Sequence, residues 1–384
     1  MNAVREFTID IPDAQLRDLR RRLDATRWPE KETVDDWSQG IPLAYLRELC
    51  RYWAGPYDWR AREAMMNRFP QFMTEIDGLD IHFIHVRSPE PDAVPLLMTH
   101  GWPGSVAEFF KVIGPLTDPL RHGGRPEDAF HLVCPSLPGY AFSAKPPAQG
   151  WSVEKIAGAW DRLINVLGYT RYLAQGGDWG AAVTTEVGLQ DRGSCAAIHV
   201  TFPLAAPTPG AKSDPDEADR RAFSAIERYR ASETGYSTQQ KTRPQTVGYG
   251  LVDSPAALAA WIVEKFQAWT DCDGHPENIL TRDELLDNVM LYWLPATGAS
   301  AARLYWESFD RAFANRGLKV GLPAGFSLFP KELIPVPRSW AAARYSNIVY
   351  WNERDKGGHF AAFEQPEAFT AELRVWLRSV AQAL

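Results

Sequence analysis

The spacing of apolar residues changes character twice along the chain, and the changes divide it into segments. Up to about Phe72, alternation over Phe7 to Ile11 predicts a short strand, and helices are expected to open at Asp13, Pro42 and Asp58, each at a turn-forming or capping residue. From Met73 short strand-like runs take over, at Ile81 to Val86, Leu96 to Thr99, Phe130 to Cys134 and Tyr172 to Ala174. Between and after them, Ile156, Trp160, Ile164 and Leu167, then Val183, Val187 and Leu189, recur at helical spacing. Strand and helix therefore alternate as in βαβ units, and the middle of the chain is expected to form a parallel α/β sheet. The pattern breaks after Phe202-Pro203, at Pro207, Pro209, Gly210 and Pro215, before a charged helix over Asp216 to Arg230. Helices are then predicted at Ala256 to Trp269, Arg282 to Trp293 and Ala299 to Phe313, with no strand among them. Strand-like Phe326 to Phe329 and Ile348 to Trp351 resume the sheet, and a last amphipathic helix runs from Pro366 to Ala381. The simplest reading is a helical insert between two halves of one sheet, with segments 1–72, 73–203, 204–313 and 314–384.

Composition narrows the class. A chain of 384 residues with 45% hydrophobic and 23% charged residues is globular, which sets aside disorder, collagen and coiled coil. A net charge of -7 argues against a nucleic-acid partner, and the densest basic cluster, Arg17 with Arg20, Arg21 and Arg22, reads as the solvated face of one helix. Fifteen Trp suggest an interior shaped in part for an apolar ligand, although plain core packing accounts for them equally well. Cys50, Cys134, Cys195 and Cys272 have neither metal-ligand nor disulfide-framework spacing, which fits a reducing compartment. Arg5, Glu6 and Asp10 interrupt any apolar leader, and no stretch approaches the roughly 18 apolar residues of a membrane span. The expectation is a cytoplasmic protein with no membrane contact, with assembly as a homodimer left open.

One constellation carries chemistry. At Gly176-Gly177-Asp178-Trp179-Gly180 a strand is expected to end and a helix to begin, with small residues flanking a reactive side chain at minus two and plus two. That is the pattern of a nucleophile elbow, where the turn is too tight for side chains and the helix N-terminus supplies backbone N–H groups. An ordinary βα turn with Asp178 as N-cap explains the same residues about as well when they are taken alone. The balance shifts with His100-Gly101-Trp102-Pro103-Gly104, directly after the strand Pro95 to Thr99. That loop can turn a backbone N–H toward the elbow, to make an oxyanion hole with the N–H of Trp179. His100 itself reads as a brace for the loop. Gly357-Gly358-His359-Phe360 then places a histidine on a glycine-rich loop after Ile348 to Trp351, where the chain order nucleophile, acid, histidine expects it. His82, His85, His199, His122, His131 and His275 read as structural. Glu332, shortly after Phe326 to Phe329, fits the acid by chain order, whereas Glu353 and Asp355 lie on the histidine's own strand or loop.

An Asp at the elbow constrains the reaction. Attack on an acyl carbon would give an unstable anhydride, whereas attack on an sp3 carbon gives an alkyl ester that water can cleave at the enzyme's own carbonyl. The substrate should then carry a halide or an epoxide oxygen. A halide leaves without a proton, but an opening epoxide benefits from acidic hydroxyls, and Tyr236, Tyr292 and Tyr305 lie in the insert. The residues alone do not choose among the three.

With these residues in place, the chain resembles the microsomal-type epoxide hydrolases of the α/β-hydrolase fold over nearly its whole length. The resemblance rests on Thr26-Arg27-Trp28-Pro29, His100 to Ser105, Gly176 to Gly180 and Gly357-Gly358-His359-Phe360-Ala361-Ala362. It implies an α/β-hydrolase core, 73–203 and 314–384, with a helical lid over 204–313 and an N-terminal wrapping segment over 1–72. It further implies cofactor-free and metal-free hydrolysis of a small apolar epoxide to a vicinal diol through an ester on Asp178. The family's acid falls on Glu332 and its two lid tyrosines on Tyr236 and Tyr305; Trp102 and Trp179 would supply the oxyanion N–H groups. Trp261, Trp269, Trp293 and Trp306 are pocket candidates for which lid packing is the better expectation. The membrane-anchored members carry an apolar N-terminal segment that is not read here, so a microsomal location is not carried over. The alternatives are a haloalkane dehalogenase on the same scaffold and a catalytically silent binding protein of this fold; the role could be detoxification or secondary-metabolite biosynthesis.

Overall fold

The computed structural model describes residues 3–312 and 317–381. Among the described residues nine strands form one sheet: β1 (Arg5–Phe7), β2 (Gln71–Ile76), β3 (Leu79–Val86), β4 (Val94–Thr99), β5 (Phe130–Pro135), β6 (Tyr172–Gly176), β7 (Cys195–Val200), β8 (Ala324–Leu328) and β9 (Ile348–Glu353). Their order is β1-β2-β3-β5-β4-β6-β7-β8-β9. β1 to β3 pair antiparallel, and β3 joins β5 antiparallel; β5, β4, β6, β7, β8 and β9 follow as parallel neighbours. A parallel sheet is covered on both faces by its crossovers, so its central strands are buried throughout, as all of β6 and β7 are. Ligands of such sheets lie outside the carboxyl ends of the strands. The loops that leave β4, β6, β8 and β9 carry His100 to Gly104, Asp178, Glu332 and His359 in turn.

The first strand differs from expectation. It spans Arg5–Phe7 rather than Phe7 to Ile11. Ile9 and Ile11 are buried in alternation, which produced the strand-like pattern, but their N–H groups meet side chains instead of a ladder, at Asn67 Oδ1 (2.9 Å) and Glu63 Oε1 (2.8 Å). β2 was not foreseen as a separate strand, and the 72/73 boundary falls within it. Its hairpin to β3 turns at Asp77 and Gly78, both at positive φ (54° and 77°). An Asp-Gly pair between apolar runs is a hairpin signal that apolar periodicity alone does not carry.

The insert is helical. Glu217–Arg228 opens with Asp216 and Asp219 in a reciprocal capping box, and Pro255–Trp269, Arg282–Trp293 and Gly298–Ala312 match the long amphipathic stretches to within a residue or two. Phe313 and the 313/314 boundary lie outside the described residues. Gly235–Thr242 and Pro244–Asp253 were not anticipated, because Ser237 to Thr242 shows no apolar period. No single helix among the described residues is long and apolar enough to cross a membrane; Pro244–Asp253 and Pro255–Trp269 reach that test only together, bent by 115°.

The N-terminal segment holds the insert against the sheet. Tyr57 donates to Asp287 (2.8 Å), Arg62 pairs with the same carboxylate, and Tyr52 donates to Asp283 (2.8 Å), all on Arg282–Trp293. That helix in turn holds the loop after β4. Asn288 donates to Pro103 O (2.8 Å) and accepts from Ser105 Oγ (2.7 Å), and Tyr292 donates to Gly104 O (2.6 Å).

Candidate active site

β4 and β6 are adjacent, with Thr99 opposite Gly176, so the loop after β4 and the turn after β6 start from one rung of the sheet. Asp178 is the first residue of the helix Asp178–Gln190 and sits at φ 48°. A non-glycine residue in this left-handed region is strained, and the strain holds its side chain above the sheet. The close packing explains the glycines: a Cβ on Gly180 would lie 1.8 Å from Thr99 O, and one on Gly101 would lie 2.0 Å from Asp178 Oδ1. With no side chain at 101, the Trp102 N–H reaches Asp178 Oδ1 at 2.7 Å.

The other carboxylate oxygen faces the histidine. His359 Nε2 is 3.1 Å from Asp178 Oδ2, and its Nδ1 is 2.7 Å from Glu332 Oε1. Glu332 also accepts the Leu333 N–H at 2.7 Å. Burial pulls the imidazolium's pKa down, but the carboxylates of Glu332 and Asp178 outweigh it and hold His359 well above the ordinary histidine range. In its protonated form this ring bridges the two carboxylates.

The insert supplies the opposite wall. Tyr236, on Gly235–Thr242, stacks on Trp102 (centroids 5.0 Å, 7° between planes) and meets Tyr305 edge-on at 5.8 Å. Tyr305, on Gly298–Ala312, also packs edge-on against Trp179 at 4.8 Å. Burial, together with neighbouring tyrosines and the charge of Asp178, raises both phenols well above their usual pKa, so each remains a neutral proton donor. Tyr229, in the π-helical turn Tyr229–Glu233, places its hydroxyl 3.0 Å from that of Tyr236; no sequence pattern pointed to it. Tyr292 is not in this group, since its hydroxyl is committed to Gly104 O.

Of the pocket candidates, Trp269 reaches the site, with its ring 5.2 Å from His359 and 5.1 Å from Tyr236. Trp261 and Tyr236 share the lining of an open groove of about 530 Å³. Trp293 lies beneath Arg22 at 5.9 Å, and Trp306 is half exposed. His100 braces the loop: Nε2 accepts the Leu137 N–H (3.1 Å) and Nδ1 lies 2.9 Å from Gly101 O. Burial lowers its pKa to about 4, which keeps it neutral. His82 and His199 are likewise buried on hydroxyl partners, Ser136 and Ser327. Glu108 escaped the sequence reading. Its carboxyl folds over the bare Cα of Gly104, and burial pushes its pKa up to about 8, which the charge of His359 opposes and that of Asp178 reinforces.

A largely parallel sheet with an aspartate at the strand-to-helix turn after β6, a histidine between that aspartate and a second carboxylate, and a helical cover defines an enzyme of the α/β-hydrolase fold. Residues 94–245 match the family model described as the alpha/beta hydrolase fold, and residues 4–109 match that of the epoxide hydrolase N terminus. A Stigmatella aurantiaca protein named "Putative epoxide hydrolase" is 54% identical over 97% of this chain and 84% of its own length. Epoxide hydrolase 1 of Sus scrofa is 35% identical over 98% of this chain and 88% of its own. The solved structure of Aspergillus niger epoxide hydrolase superposes with a TM-score of 0.88 at 36% identity, covering 98% of this chain and 97% of that one. The chain belongs to the epoxide hydrolase family.

Proposed function

We propose that the chain hydrolyses a small apolar epoxide to a vicinal diol in two steps, through a covalent ester on Asp178. Oδ1 is held by the Trp102 N–H, so Oδ2 is the attacking atom. It forms a bond to a ring carbon as the ring C–O bond breaks, and the electron pair left on oxygen takes a proton from Tyr236 or Tyr305. The tyrosinate is reprotonated at the expense of the resting His359 imidazolium. Esterification removes the charge of Asp178, one of the two carboxylates that keep His359 protonated, so the same event leaves a neutral imidazole. His359, oriented by Glu332, then takes a proton from water as its oxygen attacks the Asp178 carbonyl carbon. The oxyanion at Oδ1 is stabilised by the N–H groups of Trp102 and Trp179. Collapse of this intermediate expels the diol oxygen, which takes the remaining water proton, and restores the Asp178 carboxylate and the His359 imidazolium. Segments 1–72 and 204–313 serve this reading as brace and lid on the core.

The observation that carries the reading is the split of the Asp178 carboxylate, one oxygen on a backbone N–H and the other on His359, beneath two buried phenols. Paired hydroxyls suit an oxygen that needs a proton, and for this reason the epoxide is favoured over a halide. The test is a single turnover in oxygen-18 water with enzyme in excess. The label is expected in the Asp178 carboxylate and not in the first-turnover diol. Label in that diol would mean direct attack by water, and the ester scheme would be wrong.

A further inference from the structure

The four backbone N–H groups around the catalytic histidine converge on two carboxylates and one carbonyl. Gly358 N–H donates to Glu364 Oε2 (3.0 Å) and Phe360 N–H to Glu364 Oε1 (3.0 Å). Gly357 N–H donates to Asp271 Oδ2 (3.0 Å), and His359 N–H to Trp269 O (2.9 Å). Asp271 N–H closes the circuit on Glu364 Oε2 at 2.8 Å. Glu364 is buried, and its carboxylate thus joins the histidine loop to the segment that leaves the lid helix Pro255–Trp269. The fit is tight, since a Cβ on Gly358 would lie 2.5 Å from Trp269 O and 3.0 Å from Glu364 Oε1. The last residue of the lid helix is Trp269, whose ring touches both His359 and Tyr236.

We propose that Glu364 is a positioning residue for the hydrolytic step, fixing His359 by tying its loop to the end of the lid helix. This rests on the reading of His359 as the base. Ester formation draws on Asp178, the Trp102 N–H and the tyrosines, none of which Glu364 touches, and on His359 only for its charge and its proton. Ester cleavage depends on where the imidazole points at the water. A fault in the clamp should therefore fall on the second step, by an amount typical of groups that orient a catalytic histidine, about tenfold to a hundredfold.

The experiment measures alkylation and ester hydrolysis separately by rapid mixing, in the full-length parent and in Glu364→Gln, Glu364→Leu, Asp271→Ala and His359→Gln. Glu364→Gln keeps one acceptor oxygen but turns an amide N–H₂ toward a backbone donor. Its hydrolysis rate should fall about tenfold or more, with alkylation within about threefold of the parent and ester adduct visible by intact mass. Glu364→Leu should be slower still. Asp271→Ala removes only the Gly357 contact and should show the same bias more weakly; it keeps the proposal testable if the leucine variant does not fold. Equal slowing of both steps, or a lowered melting temperature with an unchanged ratio of the two rates, would show that Glu364 merely supports the fold. If His359→Gln accumulates ester while Glu364→Gln partitions like the parent, the proposal for Glu364 fails alone. If His359→Gln accumulates none, the assignment of the base fails first.

Discussion

Replacing His359 with Gln should separate the two chemical steps. The glutamine amide nitrogen can occupy the position of Nε2, 3.1 Å from Asp178 Oδ2, so the nucleophile keeps a donor on that oxygen. Its other oxygen keeps the Trp102 N–H at 2.7 Å. What alkylation loses is the positive charge of the imidazolium, a neutral hydrogen bond replacing a charged one. That difference is about 1–1.5 kcal/mol, or roughly tenfold in rate. Hydrolysis loses its base outright, about 10²- to 10⁴-fold, or about 3–5.5 kcal/mol. The ratio of the steps should therefore move by about tenfold to a thousandfold toward the ester. Trp102, Trp179 and Trp269 surround the site, so tryptophan fluorescence after rapid mixing reports alkylation directly. Intact-protein mass should then show an adduct of substrate mass approaching one per chain. Turnover near the parent rate with no adduct would remove His359 from the mechanism.

Two further outcomes follow from the same geometry. Tyr236→Phe and Tyr305→Phe should each slow alkylation about tenfold to a thousandfold, because one donor remains on the oxygen, and the double variant should nearly abolish it; a folded double variant alkylating at the parent rate would place the donors elsewhere. Stability should fall by about 2 kcal/mol between pH 6 and pH 5. Burial lowers His82 and His199 to about 3 and His85 and His100 to about 4, so on acidification the unfolded chain takes up protons at these four sites that the folded chain refuses. Burial also raises Glu108 to about 8 and Glu364 to about 7, and these two protons, held only by the folded chain, offset about half of that uptake. Urea unfolding at the two pH values checks the sign, and equal or greater stability at pH 5 would refute it.

The sheet and the long helices of the insert were legible because buried parallel strands and amphipathic helices carry strong periodic signals. Asp178 and His359 stand out in the sequence because close packing dictates glycines beside them, Gly180 for the first and Gly358 for the second. What escaped has no period. Ile9 and Ile11 alternate like a strand, yet their backbone bonds go to side chains about fifty residues away, which no local pattern records. Tyr229, on the hydroxyl of Tyr236, and Glu364, on the N–H groups of Asp271, Gly358 and Phe360, are placed by contacts that no sequence period records, and their types at those positions are unremarkable in sequence. Tyr292 could not be told from the tyrosines beside the site until its hydroxyl was seen on Gly104 O.

The charge balance links the proposed steps more closely than a list of roles does. The proposed cycle starts with the carboxylates of Asp178 and Glu332 on either side of a protonated His359. Alkylation consumes one negative charge at Asp178 and, through the tyrosines, one proton from His359, so the buried site keeps the same net charge. A low-dielectric pocket penalises a change in net charge far more than an internal proton transfer. No strong acid is then needed at the epoxide oxygen, because the tyrosine proton is replaced from a group that must lose one anyway. The base for the second step is made by the first, and a site that began without the imidazolium would have to draw the tyrosine's proton from solvent, at the slower rate expected of His359→Gln. Glu332 supplies the constant charge that makes this exchange reversible at the end of the cycle. Glu332→Gln should accordingly weaken hydrolysis more than alkylation.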